Sequence, residues 1–328
     1  MLNKFSSIYI IILNTIIKTY IRKATMKNIS KLNRVGKMTL LALFFLFLNV
    51  FIINSPLNSD PWSGEDLEVH FIDVGQGDSI LIKSKDTAMV IDGGENYMGE
   101  RVVSYLKSLG IKKLDYLVGT HPHSDHIGGL DTIIYEFPID TIIMPDVYHS
   151  TETYADVIKA IEDVKGYISY PEVGHIYPFN SGYFTIVAPN NHYYNNINNY
   201  SIGIRLTHGY NDFLFTADAE IMAEEEMLDR GINLSSEVYK LAHHGSTTSN
   251  SSEFLDAVNP YYAVATVGYD NDYGHPHNEI LKEMVDRNIK LYRTDLQGTI
   301  IITSNGSSLK VNTKEYIITE EDIKPYYE

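Results

Sequence analysis

Three histidines and an aspartate fall within the six residues His121-Pro122-His123-Ser124-Asp125-His126, and no other stretch of the 328-residue chain limits its fold as strongly. The apolar run Leu114 to Val118 before it reads as a buried strand, and Gly128-Gly129 after it lets a helix start close by. His121 and His123, two apart, share a face, while Asp125 and His126 can turn towards a second point nearby. Imidazole suits zinc, iron and manganese, and an added carboxylate favours a hydrolytic divalent site. A polar loop with coincidental histidines is the competing reading. The H-x-H-x-D-H spacing is far more specific than any single residue within it.

Any metal must be held by His, Asp and similar side chains, because the chain has no cysteine. Charge divides sharply. The first 54 residues carry eight lysines and arginines and no acidic side chain, which leaves eighteen basic against forty-two acidic residues in the remainder, a formal net of −24. Such a surface repels polyanions at long range and argues against tight, non-specific nucleic-acid binding.

Within that basic start, Met38 to Ile53 is almost wholly apolar, preceded by Lys27, Lys31, Arg34 and Lys37 and followed by Asp60, Glu65 and Asp66. This is the positive-inside pattern of a segment whose C-terminal side is exported. It predicts a basic leader over 1–37, with Met26 as the true start, an uncleaved signal-anchor helix over 38–54 and a linker over 55–65. A hydrolase-like domain over 66–315 and a frayed acidic tail over 316–328 complete the expected organisation.

Short β runs open the folded region: Val69 to Gly75, Ser79 to Ile82 and Thr87 to Ile91, joined by glycine turns as an antiparallel meander. Asp92 follows the third run, where a carboxylate can orient a metal-binding histidine. Asp73 and Asp78 read as braces of the Gly75-Gln76-Gly77 turn, and His70 as a packed or surface histidine. Tyr97 to Leu109, Leu130 to Phe137 and Tyr154 to Val164 have helical periodicity. The polar stretch Asn190 to Tyr200 reads as a mobile, lid-like loop, and His149, His175 and His192 as surface residues.

Asp218 emerges at the end of the apolar run Phe213 to Thr216, just before a helix, where it serves either as a metal-bridging carboxylate or as a helix cap. Beside the other motifs the ligand role is preferred. Val238 to Ala242 is a strand leading into His243-His244-Gly245-Ser246. Alternation lets only one of the two histidines face a metal easily, which favours His244 as ligand and His243 as a substrate or supporting contact. His275, between a strand and a helix, donates to a substrate oxyanion or caps that helix.

The order of these pieces resembles the metallo-β-lactamase superfamily and, more narrowly, the hydrolase domain of the ComEC family of DNA-uptake proteins and its stand-alone relatives. The matching stretches are Phe71 to Ser79, Ile91 to Gly94, Thr120 to Gly129, Asn198 to Ser201, Thr216 to Glu220, His243 to Ser246, Tyr273 to Pro276 and Thr294 to Gly298. The resemblance implies an α/β fold, an αββα sandwich with one or two divalent ions (Zn²⁺ or Mn²⁺) at one edge of the sheets. Carried over position by position, His121 and His123 hold one ion, Asp125, His126 and His244 the other, and Asp218 lies between them. Many superfamily members add a histidine to the first ion where this chain has Asn198.

These readings converge on an extracytoplasmic, single-pass, metal-dependent hydrolase of phosphodiesters, whether small molecule, envelope polymer or DNA. Asp125 and Asp218 orient the attacking hydroxide, and His243 and His275 steady the developing oxyanion. The membrane, through the N-terminal segment, and the substrate are its partners, and no stable protein partner is implied. Hydrolysis of a lactam or other acyl bond, or a non-catalytic metal-binding surface module, are the alternatives.

Overall fold

In the strand Ile80–Ser84, Ile80 and Ile82 point one way and Leu81 the other, and all three are buried. A strand buried on both faces needs a packed layer on each side, and the rest of the domain supplies them. The computed structural model describes residues 64–324. The basic leader, the anchor over 38–54 and most of the 55–65 linker lie outside the described residues. No helix among the described residues is long and apolar enough to cross a membrane.

The first half contributes β1 (Leu67–Phe71), β2 (Ile80–Ser84), β3 (Thr87–Ile91), β4 (Leu114–Val118), β5 (Ile139–Ile143) and β6 (Ile168–Ser169). The second contributes β7 (Ile176–Phe179), β8 (Gly182–Ala188), β9 (Gly203–His208), β10 (Asn211–Phe215), β11 (Val238–Lys240), β12 (Tyr262–Ala265) and β13 (Lys290–Arg293). The hairpin β14 (Ile300–Ser304) and β15 (Leu309–Val311) returns to the first sheet. The sheet orders are β15-β14-β1-β2-β3-β4-β5-β6 and β13-β12-β11-β10-β9-β8-β7. Each sheet is antiparallel on one side and parallel on the other: β3 to β6 run parallel, as do β10 to β13.

Alternation sorts the apolar side chains into three cores. Phe71, Ile80, Ile82 and Met89 meet Phe184, Ile204, Phe213 and Phe215 between the sheets. Leu81, Val90 and Leu117 face outward onto Val102, Leu106, Leu130 and Ile133 of the helices Gly99–Ser108 and Leu130–Glu136. Leu214, Tyr239 and Ala263 face outward onto Ala223, Met227, Phe254 and Met284 of the helices Ile221–Asp229, Ser252–Val258 and Asn278–Asp286. The result is the expected helix–sheet–sheet–helix sandwich.

Two segments differ from the sequence-based reading. The 190–200 stretch is built into the wall rather than lid-like: Tyr194, Asn198, Asn199 and Tyr200 are buried, and the Tyr194 hydroxyl donates to Glu226. Part of its polar composition is turned inward, as where Asn198 Nδ2 donates to Glu220 Oε1 and Asn199 Oδ1 accepts from the Glu220 N–H. The start of the acidic tail also packs down, because Tyr316 pairs with Leu291 and joins Ile318 and Ile323 against the outer core of the second sheet.

Candidate metal centre

Five strands, β3, β4, β10, β11 and β12, release their carboxyl ends at one edge of the sandwich, the position where α/β sheets place ligands. β3 delivers Asp92, β4 delivers Thr120 to His126, and β10 delivers Asp218. β11 delivers His243 and His244, and the segment after β12 carries Thr266 and, further on, His275. Backbones approach too closely there for side chains. A Cβ at Gly129 would lie 2.4 Å from the Gly93 carbonyl oxygen, and one at Gly77 2.2 Å from the carbonyl oxygen of Asp125. Those glycines let the β3 and β4 turns and the loop after β1 interlock.

Asp125, His126, Asp218 and His244 place one donor atom each within 4.8 Å of one another. His126 Nε2 is 3.2 Å from Asp218 Oδ2 and 3.7 Å from Asp125 Oδ2. His244 Nε2 is 3.6 Å and 3.3 Å from the same two atoms. Donors bonded tetrahedrally at the usual 2.0–2.2 Å stand about 3.4 Å apart, so these separations suit a divalent ion. His126 Nε2, His244 Nε2 and Asp218 Oδ1 are buried without a hydrogen-bond partner. Buried polar atoms are normally satisfied, and a shared cation explains the two ring nitrogens at once, whereas Asp218 Oδ1 lies 3.8 Å from Lys240 Nζ. The far side of each ring is fixed: His126 Nδ1 donates to Asp92 Oδ2 at 2.8 Å, and His244 Nδ1 to the Thr266 carbonyl at 2.8 Å. In the neutral rings both Nε2 lone pairs then face the pocket. The orienting part expected of Asp92 has its geometric basis in that bond.

His243 and His244 both adopt left-handed backbone, with φ of 49° and 55°. Simple strand alternation therefore does not apply to them. His243 Nε2 lies 3.7 Å from Asp218 Oδ2, on the same oxygen that His244 approaches, so both imidazoles reach Asp218. Non-glycine residues in this region are strained, and such strain gathers at functional sites.

His121 Nε2 and His123 Nδ1 are 3.0 Å apart, and the His121 ring centroid is 4.2 Å from that of His126. Among the described residues no third His, Asp or Glu donor joins this pair as closely as the four-residue cluster is joined. Asn198, buried in the same cleft wall, gives its Nδ2 to Glu220 Oε1 at 3.1 Å and leaves Oδ1 without a partner. His275 also lines the cleft with Nδ1 unpartnered. His149, expected on the surface, forms part of the wall, 6.1 Å from the His123 ring. His175 and His192 are exposed, while His70 packs against Tyr105 with its Nδ1 2.8 Å from the hydroxyl.

Two residues under the cluster lie outside the expected ligand set. Lys240 is fully buried, and its Nζ donates to Asp78 Oδ2 at 2.6 Å and to the Ala217 carbonyl at 3.2 Å, 3.8 Å from Asp218 Oδ1. Asp78 does not brace its own turn through its side chain. Its Oδ1 accepts from Thr266 Oγ1 at 2.5 Å, while Asp73 does accept from the Gly75 N–H. Asp78, Asp92 and His126 form a second group of donors, but the Lys240 ammonium already sits on Asp78.

The electrostatics call for positive charge. Burial opposes charge on His126, yet the carboxylates of Asp218 and Asp125 outweigh it and hold its pKa well above the usual histidine range. His244 is raised in the same way, burial again being overcome by Asp218 and Asp125. A raised pKa gives stability that is complete below the unfolded value of about 6.5 and is lost as pH rises through the folded value. The metal-free protein should therefore lose melting temperature as pH rises above about 6.5, while divalent-ion affinity increases because fewer protons compete. Thermal scans with and without Mn²⁺ check this, and a pH-independent gap between the two curves would contradict it.

A two-sheet α/β sandwich with a His/Asp cluster at the carboxyl edge of its strands defines a metal-dependent, hydrolase-like protein. Residues 72–268 match the metallo-beta-lactamase superfamily model, and the chain belongs to that family. Its relatives are of the ComEC kind. It is 27% identical to ComE operon protein 3 of Bacillus subtilis over 84% of this chain and 36% of that protein. It is 32% identical to competence protein ComA of Neisseria gonorrhoeae over 70% of this chain and 31% of that protein. The chain thus spans about a third of the length of these curated relatives. Among solved structures, the metallo-beta-lactamase fold protein YhfI of Bacillus subtilis aligns with a TM-score of 0.50 at 12% identity, covering 73% of this chain and all of that one, a likeness of fold. The family's fold binds one or two metal ions.

Proposed function

We propose that this protein is a metal-dependent hydrolase of phosphodiester bonds, anchored by its N-terminal segment and working outside the cytoplasm. The observation that carries the chemistry is the convergence of two buried, otherwise unbonded ring nitrogens, His126 Nε2 and His244 Nε2, on Asp125 Oδ2 and Asp218 Oδ2, beside a cleft that Asp125, Asp218 and His244 line. Asp125, His126, Asp218 and His244 would hold one divalent ion, either Zn²⁺ or Mn²⁺, which when bound would supply Lewis acidity and lower the pKa of water. Asp125 and Asp218 orient the attacking water. Burial and the neighbouring His244 push His275 down to about 3, so it enters the reaction uncharged, as a donor to the phosphoryl oxygens. Burial likewise lowers His243, whose Nδ1 is engaged with Thr248 Oγ1 at 2.9 Å while its Nε2 turns towards Asp218. The exported location is supported by the charge pattern around residues 38–54 and by the competence names of the relatives.

The test adds Mn²⁺ or Zn²⁺ to metal-free protein and follows bis(p-nitrophenyl) phosphate. Metal-dependent release of nitrophenol is expected, and turnover of a lactam with none of the diester would overturn the reading. His275→Gln should lower kcat by about 100-fold with a smaller change in KM. Because His275 is already neutral, the pH–rate profile of that variant should keep the wild-type shape from about pH 5 to pH 9. A kcat equal to wild type removes His275 from the reaction.

A further inference from the structure

The cleft over the metal centre has a volume of about 470 Å³, the size of a small-molecule site rather than an extended groove. Its described lining includes three carboxylates, Glu95, Asp125 and Asp218, and no lysine or arginine. Asp125 and Asp218 belong to the donor cluster, whereas Glu95 does not. Glu95 Oε1 instead accepts from Ser124 Oγ at 3.2 Å, which places the carboxylate beside the metal loop and leaves Glu95 Oε2 for something else. Two tyrosines in the same lining are open to solvent, Tyr97 at 72% and Tyr273 at 66% exposure. The Tyr273 ring is stacked on His275, with centroids 5.6 Å apart and planes at 20°, so its outer face is presented in a fixed orientation.

A cleft meant for a nucleic-acid strand carries lysines and arginines along the backbone track. Here a diester's single negative charge is met by the metal centre, and the remaining wall offers a carboxylate and aromatic faces. Those are the groups that recognise an ammonium, through charge and through cation–π attraction. The formal −24 over residues 55–328 attracts a cation and repels a polyanion at long range. We infer that the substrate is a small phosphodiester in which one esterifying alcohol bears an ammonium group, received by Glu95, Tyr97 and Tyr273. This rests on the phosphodiester reading above. In the reaction the oxygen of water bonds to phosphorus, one P–O ester bond breaks, and the departing alcohol takes up a proton.

The test uses the full chain with Mn²⁺ and two nitrophenyl diesters that differ in the second alcohol: p-nitrophenylphosphorylcholine and ethyl p-nitrophenyl phosphate. The choline ester should show a KM about 10-fold lower, a gap that narrows as salt is added. Glu95→Gln should bring the ratio of the two KM values close to one. Phosphorylcholine binding, followed by calorimetry, should weaken by a similar factor in that variant, which gives a readout apart from turnover. Equal KM values for the two esters in wild type, or a ratio unmoved by Glu95→Gln, overturn the inference while leaving the phosphodiester reading in place. A single-stranded oligonucleotide cleaved at lower concentration than either ester also overturns it, in favour of nucleic acid. If neither ester nor the oligonucleotide is hydrolysed by metal-loaded protein, the phosphodiester reading itself fails, and this inference with it.

Discussion

Asp218→Asn is expected to weaken divalent-ion binding by about 100-fold or more, and to cut metal-dependent turnover by roughly a thousandfold. Asp218 Oδ2 lies 3.2, 3.6 and 3.7 Å from the Nε2 atoms of His126, His244 and His243, so three imidazoles share this oxygen. Its charge is held on by those neighbours: burial pushes the carboxyl towards protonation, but His126 and His244 outweigh it and keep the pKa well below the ordinary carboxylate value. The amide keeps the shape and removes the charge. It also turns one oxygen into an NH₂ group that has to face either the His126 and His244 nitrogens or the Lys240 ammonium. Competition between the protein and a chromogenic chelator for Mn²⁺ measures the affinity, and a thermal scan confirms that the variant folds. Wild-type affinity in a folded Asp218→Asn protein would remove Asp218 from the metal centre.

Much of this centre is visible in the one-dimensional chain because its parts are local. Thr120 to Gly129 carries its donors within one loop, so spacing alone marks it, and Asp92 and Asp218 are each flagged by an apolar run ending in a carboxylate. Individual strands were legible from apolar runs such as Ile80-Leu81-Ile82, but their assembly into two sheets was expected only from the resemblance of the motifs; the structure shows that run covered on both faces. What sequence hid was whatever depends on a second segment far along the chain. Lys240 ends a short strand and reads as an ordinary charged residue. Only the fold brings Asp78, 162 positions earlier, against it. The paired approach of His243 and His244 was hidden because left-handed backbone at two non-glycine residues has no compositional signature. The 190–200 stretch looked solvated because asparagine and tyrosine usually are. Here Asn196 and Asn198 both give their amides to Glu220, and the Asn199 side-chain oxygen accepts from the Glu220 N–H. Each of these is a tertiary partnership, which neither periodicity nor propensity encodes.

Lys240→Met should destabilise the metal-free domain by about 3–5 kcal/mol, the cost typical of breaking a buried ion pair by removing one partner. Lys240 is 0% exposed and Asp78 2%, so solvent screens neither charge. Methionine fills nearly the same volume, which leaves the lost charge as the main change. Asp78 would then lose its directly bonded ammonium and keep only Thr266 and two histidines whose charge is drawn chiefly to Asp125 and Asp218, at 3.5 Å from His244 Nδ1 and 3.8 Å from His126 Nδ1. Adding Asp78→Asn removes the stranded charge together with its partner. The double variant should therefore recover most of the lost stability, since replacing both members of a buried pair is often close to neutral. Urea unfolding of wild type, both single variants and the double variant measures the coupling. If the pair is only a scaffold, metal affinity returns with stability in the double variant. If Lys240 also steadies Asp218 through the 3.8 Å approach to Oδ1, stability returns and affinity stays about 10-fold low. Additive losses in the two single variants, with no recovery in the double, would show that the ion pair is not what holds this floor of the metal centre together.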